Sequence, residues 1–261
     1  VVWNDAMTLY PSTTMGDMID IEINPRFQGR DPLQEVIEEA HKRGIKVIPW
    51  FEYGFSSSYK KDGGHLLAIK PEWAAKNQAG ELLTKNGFEW MNPYRPEVQD
   101  FILALILEVV ENYDIDGVQG DDRLPANPRE GGYSEFTKNM YHHETDSTPP
   151  EDSRDPDWLK WRADKLSAFA GRIYQEVKKR KPDVLVTWSP SIYPWSLEEY
   201  LQDWPKWIRN KHAEFVHPQV YRYGTTPYER TLRSMHPDSL NLSAEQHAMI
   251  FPGILIKVGG Y

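Results

Sequence analysis

Asp121 and Asp122 are the residues whose type and spacing most plainly suit chemistry. They close the segment Asp114-Ile115-Asp116-Gly117-Val118-Gln119-Gly120-Asp121-Asp122-Arg123, which reads as a short buried strand running straight into two adjacent carboxylates. A charge taken out of water is costly unless paired, so packing alone rarely ends a buried strand in Asp-Asp. Adjacent carboxylates repel, and one of them can rise in pKa enough to donate a proton near neutral pH. Strand period separates the two. Gln119 and Asp121 share one side, Asp116 and Val118 the other, and apolar Val118 belongs toward the helices. Asp121 is then the inward-facing general acid, and Asp122, at the start of the loop, tunes it or orients a substrate. Glu52 is the partner from another strand, as base, nucleophile or hydroxyl ligand. The plainer readings are that Asp122 pairs with Arg123 or caps the next segment, that Glu52 makes a salt bridge, and that Asp116 is structural.

The elements that must position these groups alternate strand and helix along the chain, which implies parallel βα units. Strands are expected at 1–3, 45–53, 115–120, 184–188, 215–221 and 249–254. Asp31-Pro32 starts a helix as N-cap and first turn, Leu33, Val36, Ile37 and Ala40 keep helical spacing, and Gly44 closes it. Further helices are expected at 96–113, 158–180, 204–210 and 226–235, with 123–156 as a long Pro-, Gly-, Asp- and His-rich loop of the kind that is functional or mobile. No tight Asn-Gly or Asp-Gly hairpin is read between strands, which argues against an antiparallel meander. The expected fold is an α/β (β/α)8 TIM barrel forming one domain over 1–261. A doubly wound sheet, which carries a Gly-rich phosphate turn after its first strand, is the competitor. Val1-Val2-Trp3-Asn4 begins as a strand already in progress, so a trimmed chain without a signal peptide is expected, lacking the first and last βα units.

In a parallel barrel every strand's C-terminal end reaches the same rim. Besides Asp5 and Ser189, that rim would gather Asn4, Trp50, Tyr53, Gln119, Trp188, Tyr193, Gln219, Tyr221 and Arg222 around Glu52, Asp121 and Asp122. Rings that stack on the apolar faces of a pyranose, with amides and carboxylates for its hydroxyls, suit a sugar. About half of the 10 Trp residues are expected to be simple packing.

Composition narrows the classes. A length of 261 residues fits one large domain, and a net charge of −9 argues against nucleic acid or an anionic membrane as partner. With no cysteine there are no disulfides or thiolate metal sites, and no apolar run approaches the roughly 18 residues of a membrane span. The eight histidines, His41, His65, His142, His143, His212, His217, His236 and His247, include no His-x-His at a strand end and no HExxH. There is no Gly-x-Ser-x-Gly elbow, and Gly259-Gly260 reads as a plain turn. No metal or cofactor is therefore expected, and no oligomeric state is implied.

Three segments together carry a family resemblance: Trp90-Met91-Asn92-Pro93-Tyr94-Arg95-Pro96-Glu97-Val98, Tyr113 through Asp122, and His217-Pro218-Gln219-Val220-Tyr221-Arg222. In this order, over nearly the whole chain, they resemble the bacterial glycosyl hydrolase-like family 10. The resemblance implies a (β/α)8 barrel, action on β-linked amino-sugar glycans (peptidoglycan strands or poly-N-acetylglucosamine), and a catalytic acid within Asp121-Asp122. It also implies a secreted, periplasmic or cell-envelope location. Two residues depart from the family pattern: Gly120 stands where a bulky residue is common, and Arg123 where an aromatic or His is common. The expected activity is glycoside hydrolysis. The alternatives are a glycan-binding barrel without turnover and a metal-dependent deacetylase.

Overall fold

The computed structural model describes residues 1–256; Gly259-Gly260 lies outside them. Six extended segments run side by side in chain order and in the same direction. Val2 N–H donates to Trp50 O and Tyr53 N–H to Trp3 O, which sets the first segment beside the second. The second meets the strand Gly117–Asp121 through Asp116 N–H to Val47, Gln119 N–H to Pro49 and Phe51 N–H to Gln119. Gly117–Asp121 pairs in parallel with Leu185–Ser189, and that strand pairs with Phe215–Val216. A parallel bridge from Val216 to Ile250, and parallel pairing of Gln219–Val220 with Gly253–Ile254, add the sixth. A doubly wound sheet reverses its order at a switch point. No reversal occurs along these six, so the α/β fold takes the sequential order rather than the competitor's.

Helices fill the connections, and their ends follow from the sequence. Asp31 caps Pro32–His41 by accepting from Gln34 N–H, and Asp155 caps the long helix Pro156–Arg180 by accepting from the N–H groups of Asp157 and Trp158. Proline at the first turn of each is pre-set for helix, and Lys178, Lys179 and Arg180 in the last turn of the second suit its dipole. Pro96–Asn112 buries Val98, Phe101, Ile102, Leu105, Ile106, Val109 and Val110, and packs on the long helix. One apolar core cluster reaches from Val2 to Leu242. No helix among the described residues is long and apolar enough to cross a membrane.

Two expectations are corrected. Antiparallel hairpins do occur: Thr84–Lys85 pairs with Phe88–Trp90, which pairs in turn with Ser56–Tyr59. Their turn is Asn86-Gly87, with φ of 53° and 84°, the left-handed pair that a two-residue hairpin demands. Trp3–Asn4 likewise folds back onto Met7–Thr8. The 123–156 loop is not structureless, because Glu135–Thr145 is a helix capped by Ser134. Only Thr137 and Tyr141 of that helix are buried, so it shows almost no apolar periodicity.

Candidate active site

The strand Gly117–Asp121 brings the acid pair to the C-terminal end of the sheet. Val118 is buried in the main core, as its parity requires. Asp116, at the other end of the strand, accepts from Val47 N–H (2.7 Å) and pairs with His41 Nε2 (3.0 Å), a structural role. Asp121 is 1% exposed. Its Oδ1 accepts from Arg123 N–H (2.8 Å) and its Oδ2 lies 3.2 Å from Arg123 Nη2, while its carbonyl accepts from the buried Gln202 side chain (2.8 Å). Burial, and then the adjacent Asp122 carboxylate, push Asp121 well above the usual carboxylate range; the Arg123 guanidinium and N–H oppose without reversing this. Asp122 is the open member of the pair, its side chain 27% exposed and its Oδ1 3.4 Å from Arg123 Nη1.

Glu52 joins them from the second segment. Its Oε1 accepts from Arg123 Nη2 (2.9 Å), its carbonyl from Arg123 Nε (3.0 Å), and its other carboxylate oxygen from Asn4 Nδ2. The Arg123 guanidinium lies 4.5 Å over the Phe88 ring and 5.9 Å from that of Tyr53. The plainer sequence readings of Asp122 and Glu52 as ion-pair partners therefore hold in this structure, with Arg123 as the common cation.

A cavity of about 310 Å³ is lined by Ser191, Ile192, Trp195, Gln219, Tyr221 and Arg222; neither acid lines it, and Gln219 links it to them through Ser189, the strand partner of Asp121. Gln219 Nε2 donates to Ser189 O (2.8 Å), and Arg222 is steadied by Nε to Thr231 Oγ1 (3.2 Å). Tyr221 is 45% exposed; burial, then the charges of Asp122 and Asp121, raise its hydroxyl pKa, so the ring stands near both acids. A larger cavity of about 670 Å³, lined by Pro11 and residues from Asp20 to Asp31, contains none of these groups.

Asn4, Glu52, Tyr53, Asp121 and Asp122 thus converge, and Gln219, Tyr221 and Arg222 line the cavity. Trp50 is half-buried and bridged through its backbone to Gln119, whose Oε1 accepts from Thr187 Oγ1 (3.2 Å). Two rings expected to bind substrate are placed otherwise. Trp188 is 1% exposed, donates its indole N–H to His212 O (2.9 Å) and stands edge-on to Trp207. Its parity is that of Val184 and Val186, toward the helices. Tyr53 is 6% exposed and serves as a surface under Arg123. Tyr193, half-buried, stands edge-on to Trp204 at 6.0 Å.

Gly120 has a local reason. A Cβ there would lie 2.7 Å from Leu124 O and from Cε3 and Cζ3 of Trp188. The Trp188 indole occupies the space that a bulkier residue at 120 would need. Sequence reading missed Phe88, Trp195, Gln202 and the bridging role of Arg123. Only Arg123 carried a signal, a cation directly after two carboxylates.

The description Glycosyl hydrolase-like 10 matches residues 1–253. Glycosyl hydrolase DigH of Escherichia coli O6:H1 is 26% identical over 242 residues, covering 83% of this chain and 52% of that protein. Glycosyl hydrolase YngK of Bacillus subtilis strain 168 is 27% identical over 222 residues, covering 74% and 39%. The chain thus spans about half the length of these relatives, or less. Among solved structures, the PgaB (BpsB) glycoside hydrolase domain from Bordetella bronchiseptica aligns with a TM-score of 0.61 at 16% identity, over 82% of this chain and 64% of that one. An α-L-fucosidase isoenzyme from Paenibacillus thiaminolyticus aligns with a TM-score of 0.55 at 23% identity, over 72% and 26%. At such identities the likeness carries the fold.

Proposed function

The chain belongs to glycosyl hydrolase-like family 10, and from that premise we propose that it hydrolyses glycosidic bonds in a β-linked amino-sugar glycan. The observation that carries the reading is the acid pair: a buried carboxyl with a raised pKa followed in sequence by a partly exposed one, near a cavity flanked by Trp195 and Tyr221. Burial and the neighbouring Asp122 raise the Asp121 pKa, so this carboxyl holds its proton to higher pH than an ordinary carboxylate. Asp122, the member open to solvent, faces the glycosidic oxygen and passes the proton on. The bond from anomeric carbon to oxygen breaks, the leaving sugar departs as an alcohol carrying that proton, and water bonds its oxygen to the anomeric carbon while its own proton returns to the acid pair. Trp195 and Tyr221 offer faces for the ring, and Gln219 and Arg222 offer donors for its oxygens.

Glu52 is a poor nucleophile in this arrangement. One Arg123 nitrogen touches both Glu52 Oε1 and Asp121 Oδ2, so these oxygens lie within about 6 Å of each other, closer than the ~6.5–9.5 Å of inverting enzymes. Arg123 fills that gap, however, and leaves no room for a sugar carbon. Attack by water or by the substrate's own N-acetyl group fits better. The six sequential strands support a further reading as an arc of a (β/α)8 barrel, and the glycan class supports a secreted or cell-envelope location.

The test is digestion of purified denuded peptidoglycan strands and of poly-N-acetylglucosamine by the protein and by its Asp121→Asn and Asp122→Asn variants, counting new reducing ends. Release by the unaltered chain, lost by at least two orders of magnitude in either variant, supports the reading. Tight binding with no new reducing ends on either polymer would leave a glycan-binding protein.

A further inference from the structure

We propose that Arg123 is a positioning residue of the acid site: its one guanidinium gathers Glu52, Asp121 and Asp122 into a fixed cluster and decides that Asp122 is the acid presented to substrate. The proposal rests on the hydrolase reading above and adds to it the residue that organises the site.

The geometry is complete on every side of the side chain. Nη2 bridges Glu52 Oε1 (2.9 Å) and Asp121 Oδ2 (3.2 Å), Nε donates to Glu52 O (3.0 Å), and Nη1 faces Asp122 Oδ1 (3.4 Å). Phe88 and Tyr53 cover the guanidinium, and the side chain is only 12% exposed. The Arg123 main chain is held as firmly. Its N–H donates to Asp121 Oδ1, and its carbonyl accepts from Phe55 N–H (3.0 Å). That carbonyl passes so near Gly54, where φ is +51°, that a Cβ at 54 would lie 2.1 Å from it.

No other Lys or Arg among the described residues pairs with Glu52, Asp121 or Asp122; Lys61, on the same rim, is spent on Asp5. Three acidic side chains crowd one guanidinium at 2.9, 3.2 and 3.4 Å, and those that are ionised would repel without it. A planar fork serves two carboxylates at once, which a lysine's point charge does not, so Lys at 123 is not an equivalent residue. The fork draws Asp121 inward and ties down Glu52 through its carboxylate and its carbonyl; Asp122, which meets the guanidinium only at 3.4 Å, is the less committed of the two partly exposed acids. The titratable and charged groups facing Asp121 are Asp122 and Arg123 from its own strand end, Glu52 from the second segment and Tyr221 from the fifth. Of these only Arg123 is a cation, so removing it must raise the pH at which the pair loses its proton.

The experiment compares the unaltered chain with Arg123→Lys and Arg123→Met. It follows kcat and KM on denuded glycan strands from pH 4 to 9, a thermal melt to show that each variant folds, and a 13C NMR titration of the Asp121 carboxyl without substrate. Arg123→Met is expected to lose kcat by about 100-fold with KM changed less than about threefold, and to move the alkaline limb of the profile and the Asp121 titration up by about one pH unit or more. Arg123→Lys is expected to keep both pH values near those of the unaltered chain while still losing kcat by about tenfold, because charge is restored without the fork. A folded Arg123→Met variant with unaltered kcat and an unmoved Asp121 titration would overturn the proposal. A titration that moves as expected in a protein without turnover on any glycan would uphold the clustering and remove the hydrolase reading instead.

Discussion

Substituting Gly120 by Ala adds one methyl group at the place where the strand turns into the acid pair. The new Cβ would sit 2.7 Å from three atoms: the Leu124 carbonyl oxygen and two ring carbons of Trp188. Comfortable contact begins near 3.5 Å, so neighbours must give way by roughly 0.8 Å. Neither can do so freely. Leu124 is part of the turn closed by its N–H to Asp121 O, and Trp188 is anchored by its indole bond to His212 and by Trp207. Overpacking of this kind costs about 1–3 kcal/mol. For a chain of this size that is about 2–4 °C of melting temperature per kcal/mol. Urea unfolding of Gly120→Ala, Trp188→Leu and the double variant measures it. Trp188→Leu alone leaves a cavity and costs about 2–4 kcal/mol. In the double variant the methyl group finds that cavity, so the two losses should fall short of additive by about 1 kcal/mol. Gly120→Ala unfolding within about 0.3 kcal/mol of the unaltered chain, with strict additivity in the pair, would show that Trp188 does not take the place of a bulky residue 120.

Asp121→Asn should stabilise the protein increasingly as pH rises. Asp121 has its pKa raised by burial and by Asp122, so its contribution is best below the unfolded carboxylate value of about 3.9 and is lost as pH climbs through the folded value; equal urea midpoint shifts at pH 4 and pH 8 would contradict this. Glu89 behaves oppositely. Burial pushes its pKa up, but the Ser58 hydroxyl and the N–H groups of Lys61, Gly63 and Asp62 outweigh that and hold it below the ordinary value. Its contribution is therefore present above about pH 4.3 and lost as pH falls through the folded value, and Glu89→Gln should speed amide exchange across residues 58–63 at neutral pH but not in acid. Arg162, fully buried, donates to the carbonyls of Arg129, Gly131, Ser153 and Trp158, so Arg162→Met should cost about 3 kcal/mol or more and open residues 123–155 to limited proteolysis. Tyr221→Ala should weaken glycan binding about threefold to tenfold, read by calorimetry, with the melting temperature little changed because the residue lies outside the buried core.

Much of this was readable beforehand because the signals are local. Asp31 announces its helix by capping, and the strand ending in Asp121-Asp122 stands out because carboxylates follow buried apolar residues. What stayed hidden had no local signal. Phe88 and Gln202 reach the acid cluster from elements far away in sequence, and nothing near them marks an active-site role. The Glu135–Thr145 helix hides its turn because only two of its residues are buried. Trp188 and the Asn86-Gly87 turn are a different matter. Strand parity with Val184 and Val186 already sends the indole toward the helices, and Asn-Gly is a strong hairpin signal.

The Thr84–Trp90 hairpin carries adjacent residues that serve opposite sides. Phe88 lies under the Arg123 guanidinium, and Glu89, next along the strand, accepts from the backbone of the 61–63 turn. A single-residue insertion or deletion ahead of Phe88 would exchange the two faces. A deletion would put the Glu89 carboxylate under the arginine and Trp90 among the N–H donors, and an insertion would put the Phe88 ring among those donors and Gly87 under the arginine. Substitutions within this ribbon can be absorbed one at a time, but a change in its length strikes the cation's platform and the turn's anchor in the same event.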